Sequence, residues 1–143
     1  FPLQKQDDGS LVLALPVKPT TKIPAFDVDD SGPVVAHIFA NRDEYHNKRV
    51  LCGGYYITPD EMAATISKVT GKKVTFQQIS PPPQMPQEFA DMFRYFDEFG
   101  YYNGEDISEA QRIHPKMKTF EAWLRDSKAL LDEIQNLEKK DSE

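Results

Sequence analysis

Two pairs of adjacent tyrosines are the residues of this sequence whose type and placement best suit ligand binding or proton transfer. Tyr55-Tyr56 follows two glycines, and Tyr101-Tyr102 follows a Phe-Gly pair. A tyrosine hydroxyl can orient a carbonyl or hydroxyl group while the ring covers an apolar ligand. A simpler interpretation is that one member of each pair completes the core and the other lies at its rim, since tyrosine is common at half-buried positions.

The other reactive residue types are scattered along the chain. No two histidines have the spacing of a metal-binding pair, so the sequence predicts no metal site; they are His37, His46 and His114. Cys52 lies in an apolar segment, which favours a packing role over nucleophilic chemistry. If the chain is an enzyme, its proton-transfer group is a tyrosine or one of Asp97, Glu98 and His114.

Composition restricts the classes of function. The 143 residues are 39% hydrophobic and 28% charged, as expected of one soluble globular domain. A net charge of −6 and a pI near 5.1 argue against nucleic-acid binding. The sequence has no apolar run long enough to cross a membrane, and a single cysteine and no signal peptide predict a cytoplasmic protein. The first residue is Phe1 rather than Met, which suggests a processed product or part of a longer protein.

Turn and helix-capping signals mark the ends of the predicted strands and helices before the proline-rich segment. The clearest is Thr58-Pro59-Asp60-Glu61, a capping box with proline at the first helical position. It predicts a helix that runs to Thr70 and is stopped by Gly71. The remaining signals predict strands at 11–15, 49–52 and 73–79 and a helix from about 29 to 41.

Two amphipathic helices are predicted beyond the prolines at 81–83 and 86. Apolar residues at helical spacing define the first helix, which Gly100 stops, and we expect this stripe to pack in the core; they are Phe89, Met92, Phe93, Phe96 and Phe99. The second helix runs from about Phe120 to Leu137, before a polar tail at 138–143 that should fray. Its apolar stripe can pack on its own domain or pair with another chain.

The order of these motifs resembles the C-terminal half of NmrA-like proteins, which are atypical short-chain dehydrogenases/reductases. The similar segments are, in chain order, Asp27–Gly32, Tyr56–Glu61, Thr70–Val74, Met92–Phe93 and Phe99–Tyr102. The resemblance covers roughly residues 1–125. It rests on the order and spacing of the segments, because none of them is specific by itself.

The resemblance implies an α+β fold: the C-terminal, substrate-side lobe of a two-lobe Rossmann-type protein, mostly helical with a few short strands. Residues 1–125 would form this lobe, and residues 126–143 a helical extension and polar tail. The dinucleotide-binding βαβ units would be missing, and the sequence contains no G-x-x-G-x-x-G turn. We therefore expect no cofactor in this chain, and NAD(P) only where an N-terminal lobe is present.

The resemblance also suggests site residues, because in such proteins the tyrosine segments lie near the mouth of the substrate cleft. The substrate-binding candidates are Tyr55, Tyr56, Met92, Phe93 and Tyr101. The candidates for catalysis are Tyr56, Tyr101, Tyr102 and His114.

Two functions remain open at this level. One is the substrate- or partner-binding lobe of an NAD(P)-dependent oxidoreductase or redox sensor that cannot bind the dinucleotide by itself. The other is a cofactor-independent cyclase, dehydratase or isomerase with an apolar, tyrosine-lined pocket. Because a lobe without its partner exposes apolar surface, we expect a homodimer or a second polypeptide to cover it, besides a hydrophobic small molecule as ligand.

Overall fold

The computed structural model describes residues 2–139, with the side chains of all of them except Ala129, Glu133, Glu138 and Lys139. Short strands and helices are mixed within these residues, which confirms the predicted α+β class. The strands are β1 (Leu3–Lys5), β2 (Leu11–Leu15), β3 (Ile23–Ala25), β4 (Tyr55–Ile57) and β5 (Val74–Gln78). The helices are α1 (Ser31–Ala40), α2 (Arg42–Tyr45), α3 (Pro59–Thr70), α4 (Gln87–Phe99), α5 (Ser108–Ile113), α6 (Phe120–Asp126) and α7 (Lys128–Lys139), and a single 3-10 turn, Val28–Asp30, precedes α1.

Strands β1, β2 and β5 form a three-stranded sheet in that order. β1 and β2 are antiparallel, whereas β2 and β5 are parallel with Leu13 opposite Phe76. Four consecutive residues of β2, Leu11 to Ala14, are buried. An unbroken apolar run is typical of a strand that is covered on both faces, so the sequence and the structure agree here.

Three helices close the main core around this sheet. α3 packs on β2 and β5, α6 packs on α3, and α7 packs on β1. Each helix contributes a side chain that is at most 1% exposed, namely Ile66, Leu124 and Ile134. The strands supply Leu3, Leu11, Leu13 and Val74 to the same cluster.

Helix α3 forms where its capping box predicts it. The Thr58 hydroxyl accepts a hydrogen bond from the Glu61 N–H at 3.2 Å, and the Glu61 carboxylate accepts one from the Thr58 N–H at 2.8 Å. Gly71 ends the helix with a φ of +70°, a conformation that costs glycine little. The predicted helix from Thr58 to Gly71 is therefore confirmed.

A second, two-stranded antiparallel ribbon joins β3 and β4. Ala25 lies opposite Tyr55, and Pro24 lies opposite Tyr56. Because neighbouring side chains of a strand point to opposite faces, the two tyrosines lie on different faces of this ribbon. The ribbon therefore separates the two members of this pair: Tyr55 packs against the main core, whereas Tyr56 is exposed, as the simpler interpretation of the pair expects.

Helix α4 corrects the prediction that its aromatic stripe belongs to the core. None of its residues is buried, and Phe89 and Phe99 are 46% and 50% exposed. The helix is attached instead by a polar contact: the Asp97 carboxylate accepts hydrogen bonds from the Lys18 N–H, at 2.9 Å, and from the Thr21 hydroxyl. Helical periodicity identifies an apolar face, but it does not determine whether another element covers that face.

The terminal helix is also divided differently from the prediction. A break at Ser127 separates α6 from α7, and its backbone angles, φ −82° and ψ 83°, are not helical. Leu130 and Ile134 of α7 are buried in the main core, so this helix packs on its own domain. The polar tail lies beyond the described residues from position 140 onward.

The predicted strand at Arg49–Cys52 is wrong, since this segment is irregular and only Tyr55–Ile57 pairs. The backbone of this segment makes a tertiary contact instead: the Cys52 carbonyl accepts a hydrogen bond from the Tyr102 hydroxyl at 3.2 Å. The helix predicted after Asp29 is confirmed by α1. None of the helices within residues 2–139 combines the length and the apolar character that a membrane crossing requires.

Candidate functional site

A groove of about 480 Å³ brings together three of the four tyrosines that form the two adjacent pairs. Tyr56 enters it from the ribbon, and Tyr101 and Tyr102 enter it from the turn after α4. Its other contributors include Lys22, Phe99 and Ile107. We call this feature the tyrosine groove; aromatic and apolar side chains line it together with a few charged groups, as is common for small-molecule sites.

The backbone at the end of α4 places the second tyrosine pair. Gly100 has a φ of +81°, in the region that favours glycine, and the chain turns there out of the helix. The Tyr101 ring then stacks on Phe96 at 4.5 Å between centroids and meets the Tyr102 ring edge-on at 4.8 Å. The glycine turn and the ring contacts therefore fix the orientation of both tyrosines.

The hydroxyl groups of the tyrosine groove differ in their partners. Tyr102 donates to the Cys52 carbonyl, and its burial raises the pKa of the Tyr102 hydroxyl. The Tyr56 hydroxyl lies 3.4 Å from the Glu105 carbonyl, at the long end of a hydrogen bond. The Tyr101 hydroxyl makes no hydrogen bond with the residues that the structure describes, so it is free to bind a polar group of a ligand.

Tyr55, the remaining member of the two tyrosine pairs, lies on the other face of the ribbon and lines a separate cavity of about 200 Å³. We call it the ring cavity. Its walls come from the ribbon, α3 and α6, with apolar contributions from Ala25, Phe26, Met62, Phe120 and Trp123. Burial, together with the negative charges of Asp27 and Asp30, raises the pKa of Tyr55 to about 12.

Asp27 and Asp30 are buried, and they organise the segment next to the ring cavity. One Asp30 oxygen lies 3.1 Å from the Nε2 atom of His114, and the other accepts a hydrogen bond from the Lys118 N–H at 2.8 Å. The Lys118 ammonium lies 3.4 Å from an Asp27 oxygen. These contacts join the start of α1 to the segment between α5 and α6.

Sequence reasoning singled out His114 but not its partner. Asp30 belongs to the Asp27–Gly32 segment, which carries the family resemblance, but a contact across 84 positions leaves no local pattern. His114 lines neither the tyrosine groove nor the ring cavity. The structure thus places it as a half-buried partner of Asp30.

The remaining candidate residues lie apart from both the tyrosine groove and the ring cavity. Met92 and Phe93 are half-buried on α4 and line neither the tyrosine groove nor the ring cavity. Both Asp97 contacts are made by one oxygen, which holds α4 to the loop after β2. Asp97 is therefore a positioning residue for the helix end that carries Tyr101 and Tyr102.

The tyrosine groove does not fit the pyrophosphate of a dinucleotide. Pyrophosphate binds where a glycine turn leads into the N-terminus of a helix, at its positive end. Gly100 instead follows the C-terminus of α4, where carbonyl groups concentrate negative charge, and the carboxylates of Glu105 and Asp106 outnumber the ammonium of Lys22 around the same space. Within residues 2–139 no group of three metal-ligating side chains is found either.

Comparisons with known proteins identify the family. The model of the NmrA-like family matches residues 1–124. An NmrA-like family domain-containing protein of Dictyostelium discoideum is 34% identical over 111 residues, which cover 74% of this chain and 36% of that protein. An NmrA-like family domain-containing oxidoreductase of Penicillium ochrochloron is 26% identical, over 87% of this chain and 45% of that protein.

Among solved structures, the fold is similar to that of NmrA, a negative transcriptional regulator. The complex of NmrA with NAD superposes with a TM-score of 0.70 at 16% identity, over 92% of this chain and 47% of NmrA. Its complex with NADP gives a TM-score of 0.69. The chain therefore spans about half or less of the length of the relatives that it matches.

Proposed function

Because the chain belongs to the NmrA-like family, we propose that it is the substrate- or partner-binding lobe of an NAD(P)-dependent oxidoreductase or redox-sensor protein. The Penicillium relative is an oxidoreductase by name, and NmrA binds NAD and NADP. The chain matches less than half of either, and its tyrosine groove does not fit a pyrophosphate. We therefore assign the dinucleotide to a part of the protein outside this chain.

The convergence of three tyrosines on one groove is the observation that carries this proposal. Tyr56 and the pair Tyr101-Tyr102 come from distant segments, yet they border the same open space. The Tyr101 hydroxyl is available to orient a carbonyl or hydroxyl group, while the surrounding rings cover an apolar ligand. In this proposal the groove holds a small hydrophobic substrate or an apolar side chain of a partner protein.

The aromatic face of α4, defined by Phe89, Met92, Phe93, Phe96 and Phe99, has a related part in the proposal. It lies within the segment that the family model matches, while the relatives extend well beyond that segment. We assign the additional lobe of such proteins as the occupant of this face, because Phe89 and Phe99 are 46% and 50% exposed and apolar surface of this kind is normally covered. In solutions of this chain alone, a second copy takes that place.

Isothermal titration of NADPH into the 143-residue chain tests whether the dinucleotide binds to this lobe or needs the other one. We expect no heat of binding from the chain, and clear binding from an NmrA-like protein with both lobes under the same conditions. Micromolar affinity of the chain itself would refute the proposal, because the dinucleotide site would then lie within these residues.

A further inference from the structure

The ring cavity has the shape of a small-molecule site of its own. The ribbon supplies one wall with Ala25 and Tyr55, α3 supplies Met62, and α6 supplies Trp123. Each of these four side chains is partly buried and packs against the main core. Walls that are held by three packed elements keep their spacing, so the cavity is preformed.

Its volume decides the size of the ligand. A cavity of about 150 Å³ in another protein stays dry and binds benzene. The ring cavity measures about 200 Å³ and is open to solvent, and the space within it accommodates one aromatic ring with a small substituent. The aromatic and thioether groups of its walls suit such a ring, since aromatic pairs and sulfur–aromatic contacts are favourable.

Two polar groups of the protein at the ring cavity decide which substituent the aromatic ring of the ligand carries. Tyr55 lines the cavity, and its hydroxyl makes no hydrogen bond with the residues that the structure describes. The Asp27 carboxylate has one oxygen 3.2 Å from the Asp29 N–H and the other 3.4 Å from the Lys118 ammonium. A carboxylate has about four lone-pair positions, so it can accept a further hydrogen bond.

The charge around these groups disfavours anionic ligands. Asp27 and Asp30 are both buried nearby, and their negative charges contribute to the raised pKa of Tyr55. Lys118 offsets part of this charge, but it also faces Asp126 at 3.4 Å. A neutral donor such as a phenolic hydroxyl fits this potential, whereas a carboxylate does not.

We propose that the ring cavity is a second binding site, which takes a single neutral aromatic ring bearing a hydrogen-bond donor, of the phenol class. Tyr55 and Tyr56 point to opposite faces of the ribbon, so this site is separate from the tyrosine groove. The donor of the ligand binds at Asp27 and Tyr55, and its ring lies among Met62, Phe120 and Trp123. The inference does not depend on the proposed role of the tyrosine groove.

The single tryptophan of the chain, Trp123, lines the ring cavity and reports on its occupant. Phenol is titrated into the chain while Trp123 is excited at the red edge of its absorption, where phenol does not absorb. We expect a saturable change with a dissociation constant on the order of 1 mM, as for a ligand of this size. Benzoate should bind at least about tenfold more weakly, because its carboxylate meets the buried aspartates.

Two substitutions locate the binding. Ala25→Phe fills the ring cavity and should abolish the phenol signal, whereas Val35→Phe on α1, where Val35 is 43% exposed, is the matched control and should leave it unchanged. Tyr55→Phe should lower the affinity for phenol severalfold. Circular dichroism of each variant verifies that it is folded.

Three results would overturn the proposal. The wild-type chain shows no saturable fluorescence change with phenol, benzoate binds as well as phenol, or folded Ala25→Phe binds phenol as the wild type does. The first two comparisons need no variant, so the proposal remains testable even if Ala25→Phe does not fold.

Discussion

Helices α3 and α4 carry similar signals in the sequence, but they pack in different ways. Both have apolar residues at helical spacing, and both are followed by a glycine. α3 buries Ala63 and Ile66 in the main core, whereas α4, with more and larger apolar side chains, buries none. The difference shows that the size of an apolar face says little about its burial, which depends on what other elements reach that face.

The α3 side and the α4 side of the molecule also differ in how open their surfaces are. The α3 side of the molecule packs into the main core and borders the small ring cavity. The α4 side is open, with an aromatic face and the tyrosine groove at its end. We therefore place the core stability of the chain on the α3 side, and the aromatic face and the tyrosine groove of the proposed function on the α4 side.

The largest effect is expected for Ile66→Ala in α3. Ile66 is fully buried, so its truncation leaves a cavity and should lower the free energy of unfolding by about 3 kcal/mol. Urea denaturation of the variant and the wild type measures the difference. A loss below about 1 kcal/mol would show that α3 is not the core helix described above.

A smaller effect is expected for Phe96→Ala in α4. Phe96 is half-buried and stacks on Tyr101, so we expect a loss of about 1 kcal/mol in the free energy of unfolding. The same denaturation experiment compares it with Ile66→Ala. If the two losses were equal, α4 would contribute to the core as much as α3 does, and the comparison would fail.

Thr58→Ala tests the local stabilisation of α3. The variant removes the side-chain hydrogen bond to the Glu61 N–H, and the typical cost of losing such a cap is about 1 kcal/mol. Helix α4 has no side-chain cap of this kind at Pro86. Thr65→Ala is a useful control, since Thr65 is also in α3 but takes no part in the capping box. If Thr58→Ala lowered the free energy of unfolding no more than this control does, the result would argue against the capping box.

The last prediction concerns the titration of Tyr55, which lines the ring cavity together with Met62 of α3. The pKa of Tyr55 is about 12 in the folded chain and about 10 when unfolded, so its contribution to stability is full below pH 10. This contribution is lost as the pH rises through about 12. Ultraviolet difference titration of the wild type against Tyr55→Phe isolates the ionisation of Tyr55. Asp27→Asn should lower the pKa of Tyr55, because it removes a nearby negative charge. A Tyr55 that titrates near pH 10 in the wild type would contradict its burial.

The sequence predicts features that depend on neighbouring residues. The capping box at Thr58, the apolar strand after Asp8-Gly9 and the stop at Gly100 all form as expected, because each rests on backbone preferences within a few positions. The order of such motifs was also sufficient to identify the NmrA-like family, which the family model confirms.

Features that depend on distant contacts were not predictable in this way. The break at Ser127 interrupts a continuous apolar stripe, and the segment before Gly53 has strand-like residues without a pairing partner. The Asp30–His114 contact joins segments 84 positions apart. For the tyrosines, the sequence identified the residue types, but only the pairing of β3 with β4 separates Tyr55 from the tyrosine groove.

The oligomeric state of the 143-residue chain tests most directly whether the aromatic face of α4 is made to be covered. Light scattering at micromolar concentration should give about twice the mass of the 16.3 kDa chain for the wild type. The double variant Phe89→Ser, Phe99→Ser, which changes two exposed side chains, should give the mass of one folded chain. A wild-type chain that is a monodisperse monomer at these concentrations would contradict the account.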